Sequence, residues 1–420
     1  MATLIRLALA SAWNRRLTLL LTMLSIALAV FMLLGVDRLR EAARTSFTEA
    51  ASGTDLIVGA RTSPLQLLLY SVFRMGEATS DFRWSSFEKV RARDEVAWAI
   101  PLALGDSHRG FSVLGTSAAY FEHFRYGDAR SLRLAEGRPF TDLFEAVLGA
   151  DVARALAYRL DDAITLSHGA GGIGGPEHAD KPFRVVGILA RTGTPVDRSV
   201  HVSLESIEAI HLDWQAGAPI PGLRITPAQV RKFDLAPKRI TAALVGLHSR
   251  GGVFRVQRAV NLDEEEALMA ILPGVALDQL WGMMDIAERA MIAIGWFVVA
   301  AGLAGMVSTV LAGLNERRRE LSILRSVGAG PGDVVALVAL EGFFLTAAGI
   351  LAGYLLLLVA IAVAGPVIDA RFGVAVPLIG ATASQGWLLL GVLAVGTLAS
   401  LIPAWRANRL SLQDGLVARV

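Results

Sequence analysis

The sequence predicts an α-helical membrane protein with four transmembrane helices, plus a large α+β extracytoplasmic domain between the first and second spans. Three observations carry this. The chain has 420 residues, 54% hydrophobic and only 19% charged, against about 25% charged in an ordinary soluble domain. Four stretches, residues 17–36, 290–315, 342–368 and 372–405, contain no Asp, Glu, Lys or Arg. Each reaches the roughly 20 residues that a helix needs to cross a bilayer core. Between the first and second stretch, residues 37–289 hold 61 charged residues in 253, about 24%, which is a soluble density.

Taken in order, residues 1–16 read as a short amphipathic helix on the cytoplasmic membrane surface, with Leu4, Ile5, Ala8 and Ala12 on one face. Residues 17–36 form the first span. The apolar run is too long for a signal peptide and no small-residue cleavage site follows it. Residues 37–289 form the outer domain, with helical stalks at both ends. Strands are expected at 55–58, 96–104, 110–115, 145–149, 183–189, 199–202 and 241–246. Helices are expected at 85–91, 151–158, 203–209 (opened by a serine cap) and 263–272, where Glu264, Glu265 and Glu266 would occupy the first turn. Two lobes are expected, divided near 121–140 and 220–241. The second span is 290–314, a cytoplasmic helix and turn 315–332, the third span 333–362, a short outer loop 363–385, the fourth span 386–404 and a cytoplasmic tail 405–420.

Orientation follows from the arginines and lysines, which gather in cytoplasmic loops. Of the eleven outside the large domain, only Arg371 falls outside the cytoplasm if both termini are inside. Arg38, Arg40 and Arg44 run against the rule directly after the first span, partly offset by Asp37 and Glu41.

Several chemistries are excluded. The chain has no cysteine, so no disulfide, thiol nucleophile or Cys-ligated metal. The outer domain, at net −3, lacks the basic patch of a nucleic-acid binder. The glycine-rich segment 168–181 lacks the G-x-x-x-x-G-K-[ST] spacing that cradles phosphates, and neither H-E-x-x-H nor G-x-S-x-G occurs. No catalytic residue is expected. All seven histidines lie in the outer domain, as most polar residues do. No metal is expected; were one to bind, the candidates would be His168, His178 and Asp180, which share one loop.

Residues 315–329, N-E-R-R-R-E-L-S-I-L-R-S-V-G-A, weave apolar residues through four arginines between two spans. Such a run suits a partner groove as well as lipid headgroups. Glu341 is a lone acid near the start of the third span, and Gly349-x-x-x-Gly353 permits close helix contact.

These residues, with the pattern from Glu341 and Gly342 to Gly353 and the ending P-A-W-R-A-N-R-L-S-L-Q-D-G-L (403–416), resemble the FtsX-like permease domain, over about residues 281–420. This is the membrane subunit of the macrolide-exporter and lipoprotein-release class of ABC transporter. The outer domain resembles, chiefly by position, the MacB-like periplasmic core domain. The resemblance implies a bacterial inner-membrane permease of the mechanotransmission type, both termini cytoplasmic, exporting or extracting a periplasmic or outer-leaflet substrate (lipoprotein, lipid, peptide or drug-like molecule). It implies a separate cytoplasmic ABC ATPase that holds the ATP and Mg, no cofactor on this chain, a second permease chain as homo- or heterodimer, and room for a periplasmic adaptor or lipoprotein. By match to the family motif, Glu316, Arg317, Arg318, Arg319, Glu320, Leu321, Leu324, Arg325 and Gly328 would contact the ATPase. Glu341, Gly342, Gly349 and Gly353 would pack the spans, and Pro403, Arg406 and Arg409 would mark the cytoplasmic tail. A non-transporting subunit that regulates a periplasmic partner such as a cell-wall hydrolase is the alternative, and a metal-linked or enzymatic outer domain the more distant one.

Overall fold

A computed structural model describes residues 16–50, 52–76, 78, 80–169, 177–215, 218–220, 225–316, 323, 325–372, 374, 376–378, 380 and 382–409. The chain divides into two compact units. One is built from Met1–Ala42, Asp285–Val367 and Val376–Val420, the other from Ala43–Met284 and Ile368–Ala375.

Four long helices carry the apolar stretches: α1 (Arg16–Ala50), α2 (Pro273–Glu316), α3 (Pro331–Phe372) and α4 (Ala383–Arg409). All four are long and apolar enough to cross a membrane. Within a bilayer only a helix or a closed barrel satisfies its own backbone. Ser25, Thr346 and Thr397 follow the same rule, their hydroxyls donating to the carbonyls of Leu21, Gly342 and Leu393 four residues earlier. Proline opens α2 and α3, where the missing N–H costs nothing. The helices share a core of Ile26, Val30, Leu33, Val299, Met306, Val338, Leu357 and Val392.

Glycine sets how closely they approach. A Cβ on Gly349 would lie 2.7 Å from Ile26 Cγ2, and one on Gly353 2.5 Å from the Ala27 carbonyl oxygen. On Gly342 it would meet Ser400 Cβ at 2.2 Å. So α3 meets α1 through Gly349 and Gly353, and α4 through Gly342. α3 continues to Phe372 with Pro366 inside it, and α4 begins at Ala383.

The other unit is built on one eleven-stranded mixed sheet. Its strands are β1 (Leu56–Ala60), β2 (Val96–His108), β3 (Phe111–Thr116), β4 (Leu134–Gly137), β5 (Glu145–Leu148), β6 (Ala163–Ile164), β7 (Ser167–His168), β8 (Phe183–Leu189), β9 (Ser199–Ser203), β10 (Ala242–Leu247) and β11 (Leu268–Ile271). They run in the order β11-β1-β10-β2-β3-β9-β5-β8-β4, with β7 added to β2 and β6 to β8. The pairs β3–β9 and β5–β8 are parallel; the other ladders of this sheet are antiparallel. One sheet runs through both expected lobes: along its main path, the strands of residues 56–116 and 242–271 lie together as β11-β1-β10-β2-β3, and those of residues 134–203 follow as β9-β5-β8-β4.

Successive strand residues face opposite sides, and both sides of the sheet are packed. Ile57, Ile100, Leu102 and Leu244 enter one core. Leu56, Val58, Ala99, Ala243 and Val245 enter another. That is why these strands read as continuous apolar runs.

One expected element is corrected. Residues 263–272 do not form a helix: Asp263 Oδ1 accepts the N–H groups of Glu265 at 3.0 Å and Glu266 at 2.9 Å, closing a turn, and β11 follows. An aspartate offers its own backbone this alternative to a helical turn. Pairing with β1 then buries Leu268 and Ala270. Glu266 receives the Ser86 hydroxyl at 2.6 Å and the Arg83 N–H. The helix of this region lies earlier, at Val253–Asn261, with Val253, Val256 and Val260 buried along one face.

Candidate functional site

Two places in the chain carry unusual chemistry. The first is the link between α2 and α3. Among its expected contact residues, Arg317, Arg318, Arg319, Glu320, Leu321 and Leu324 lie outside the described residues. Glu316 closes α2. Arg325 is half-buried in a helical turn, which Gly328 ends with φ +105°. The Gly328 N–H returns to the Arg325 carbonyl at 3.1 Å. Such a positive φ at a helix end is tolerated by glycine above all others. Asp333 then opens α3, its Oδ2 accepting the Gly330 N–H at 2.8 Å. Glu341 is half-buried one turn before the half-buried Leu345 of α3, Pro403 is buried inside α4, and Arg406 is exposed. Arg409 is the last residue of α4.

The second is in the sheet domain. Asp106, His168, His178 and His211 each direct one ligand-type atom into a common region, all four within 4.8 Å of one another. Asp106 and His168 are register partners on β2 and β7. Asp106 follows Gly105 (φ +146°) inside a register shift of the β2–β3 ladder. A bulge of this sort re-aims a side chain. His168 Nδ1 lies 2.7 Å from Asp106 Oδ1, and His211 Nε2 lies 3.4 Å from His168 Nδ1 and 3.7 Å from Asp106 Oδ1.

His211 ends the helix Leu204–His211, whose first turn is capped by Ser203 accepting the Ser206 N–H. Its Nδ1 faces the Ile207 carbonyl at 2.8 Å. A carbonyl only accepts, so Nδ1 carries the proton and Nε2 points its lone pair into the cluster. His178 follows the single bridge between Ser167 and Glu177, and its own N–H donates to the Leu166 carbonyl at 2.8 Å. Its ring is fully buried, 5.1 Å from the His211 ring and 4.0 Å from Trp214. Neither of its ring nitrogens has a hydrogen-bond partner among the described residues. Burial, reinforced by His211, pushes His178 down to about 4, so its imidazole is neutral. The Asp106 hydrogen bond moves His168 the other way, up.

Asp180 does not join the cluster. It pairs at 3.0 Å with Lys181, which is wholly buried and also donates to Asp213 at 2.7 Å. Sequence reasoning missed Asp106 and His211. They stand 62 and 43 positions from His168, and no local spacing links them. The glycine-rich residues 170–176 lie outside the described residues.

Comparison with known proteins gives two family matches. A profile described as MacB-like periplasmic core domain matches residues 19–230, and one described as FtsX-like permease C-terminal matches residues 292–412. The chain is 26% identical over 242 residues to the lipoprotein-releasing system transmembrane protein LolC of Neisseria meningitidis serogroup B; the match covers 55% of this chain and 52% of that protein. The chain thus spans about half the length of that curated relative. Among solved structures, the periplasmic region of MacB from Actinobacillus actinomycetemcomitans aligns at 12% identity and TM-score 0.33, over 55% of this chain and 94% of that one. The extracellular domain of the noncanonic ABC-type transporter YknZ from Gram-positive bacteria aligns at 12% identity and TM-score 0.31, over 52% and 99%.

Proposed function

The chain belongs to the FtsX-like permeases with a MacB-like periplasmic core domain, and from that premise we propose that it is the permease subunit through which a separate ABC ATPase moves a periplasmic domain. As a multi-pass membrane protein of this class, with its periplasmic domain between the first and second long helices, it has the parts that such a machine needs. The observation that carries the proposal is the FtsX-like match over residues 292–412, which contains the whole link between α2 and α3. FtsX-like permeases act with ABC ATPase partners, and the phosphate-binding motif of such an ATPase does not occur within these 420 residues.

In this reading both termini and residues 315–332 are cytoplasmic. ATPase closure pushes the segment from Glu316 to Gly328, and the helices pass the displacement outward. ATP and Mg belong to the ATPase. A second permease chain completes the membrane unit, a role suited to the exposed apolar faces of the helices, among them Leu20, Leu24, Phe344, Leu351 and Leu355. The relative that belongs to a lipoprotein-releasing system makes a lipoprotein the first substrate class to test.

The experiment is co-purification. Arg318→Glu combined with Arg325→Glu should abolish recovery of the ATPase while the chain still inserts in the membrane. Undiminished ATPase recovery from that double variant would overturn the role given to residues 315–329.

A further inference from the structure

We propose that Asp106, His168, His178 and His211 form a binding site for one divalent transition-metal ion of the zinc class, within the periplasmic domain. The proposal goes beyond permease function and does not rest on it.

The donor set comes first. Three imidazoles and one carboxylate are the ligands that zinc takes, in tetrahedral geometry, with bonds of about 2.0–2.2 Å. Such bonds place neighbouring ligand atoms roughly 3.3 Å apart. Three of the four atoms already stand 2.7, 3.4 and 3.7 Å from each other. The fourth residue, His178, lies within the same 4.8 Å group, so only a small closure of its ring is needed.

The second observation is independent of spacing. A buried polar group without a partner is rare and calls for a specific cause, an ion among them. His178 is 0% exposed and has no partner at either ring nitrogen among the described residues. A metal ion on one of those nitrogens would supply what the protein lacks there.

The surroundings fit as well. A ligating histidine is usually oriented by a carbonyl or carboxylate on its other nitrogen, and His211 has the Ile207 carbonyl there at 2.8 Å. Lys181, the nearest buried cation, is neutralised by Asp180 and Asp213, so it does not repel a second positive charge unopposed. Asp106 also lines a cavity of about 530 Å³, together with Gly105, Gly169 and Arg198. Binding requires His168 Nδ1, now 2.7 Å from Asp106 Oδ1, to present a lone pair to the ion, so the proton on that nitrogen must leave or move to Nε2. Four protein ligands leave no open position, so this is a holding or structural site and not a hydrolytic one.

The test uses the full-length chain in detergent, purified with a tag free of histidine, stripped with a chelator and titrated with zinc or cobalt alone. One ion per chain is expected, with the intense visible bands of tetrahedral cobalt and a change in Trp214 fluorescence. Asp106→Asn, His178→Ala and His211→Ala should each lose more than the roughly 10–100-fold in affinity that removing a second-shell partner costs. His123→Ala and His248→Ala, outside the cluster, should bind as the parent does. His168→Gln guards against misfolding: if it elutes and melts as the parent does, its loss of the cobalt bands is a ligand effect. No stoichiometric ion in the parent, or unchanged affinity in His178→Ala and His211→Ala, overturns the proposal. Because no ATPase is present, the outcome is separate from the fate of the permease reading.

Discussion

Arg38 Nε donates to the side-chain oxygen of Gln385 at 3.1 Å, joining α1 to α4 across 347 positions of sequence. Arg38 is 3% exposed, and its guanidinium also donates to the Pro377 carbonyl at 2.9 Å. Gln385 in turn donates to Asp37 at 3.0 Å. This accounts for a charge that runs against the positive-inside pattern: Arg38 is committed to protein carbonyls and does not act as a free loop cation. Arg40 is similarly committed to Glu288 at 2.5 Å, and Arg44 lies 5.5 Å from the Trp281 ring centre.

Replacing Arg38 should therefore cost stability rather than reverse topology. Arg38→Met keeps the length and removes the donors, leaving the Gln385 and Pro377 oxygens unpaired. A hydrogen bond to a charged group contributes about 1.5–3 kcal/mol, so the detergent-solubilised variant should unfold at a clearly lower temperature. A topology reporter fused after Gly172 should still read as outside the cytoplasm. A melting temperature equal to the parent's would show that the Arg38 contacts contribute nothing.

The glycines of α3 predict a contrast that composition alone does not. Gly353→Leu drives a side chain into the Ala27 carbonyl and Val30, whose Cβ would be only 2.9 Å from the first added carbon. Overpacking of this kind costs about 1–3 kcal/mol. Gly305→Ala, on α2, meets nothing within 4 Å and should be neutral or gain up to about 1 kcal/mol from helix propensity. Thermal unfolding of the two variants side by side measures the difference. Equal stability would mean that α1 and α3 do not pack through this glycine.

How much of this was legible depended on the range of the signal. The strand at 183–189 is legible to the residue, because Phe183, Val185, Val186, Ile188 and Leu189 make a short β-prone apolar run directly after Pro182. The helix from Leu204 was read from its Ser203 cap. The triple glutamate after Asp263 imitated a helix start, and only pairing with β1 reveals β11. Gly349-x-x-x-Gly353 announced close helix contact, yet its partner, α1, could not be named from spacing. The metal cluster was legible only in part: His168 and His178 were paired as candidates, but Asp106 enters through strand register and His211 through helix placement. Both are tertiary facts. Asp180, adjacent in sequence, is taken by Lys181.

The buried histidines make the periplasmic domain sensitive to acid in a defined window. His201 on β9 is fully buried; its Nδ1 meets the Val147 carbonyl at 3.2 Å, and its ring lies 5.3 Å from Tyr120. Burial, with the nearby Arg74 charge second, pushes it down to about 3. In the unfolded chain a histidine titrates near 6.5. The folded value is the lower of the two, so the unfolded chain binds the extra proton. Stability is therefore full above about pH 6.5 and falls as the pH drops toward 3, where the folded form also protonates. Moving from pH 7.5 to 5 should cost about 2 kcal/mol through this residue alone. His108 and His178, both lowered by burial, add to the loss with the same sign. His201→Phe keeps a ring beside Tyr120 and removes one titrating group. Its denaturant midpoint, measured with chelator present, should shift less between pH 7.5 and 5 than the parent's does. An identical shift in parent and variant would mean that His201 is not held neutral by the fold.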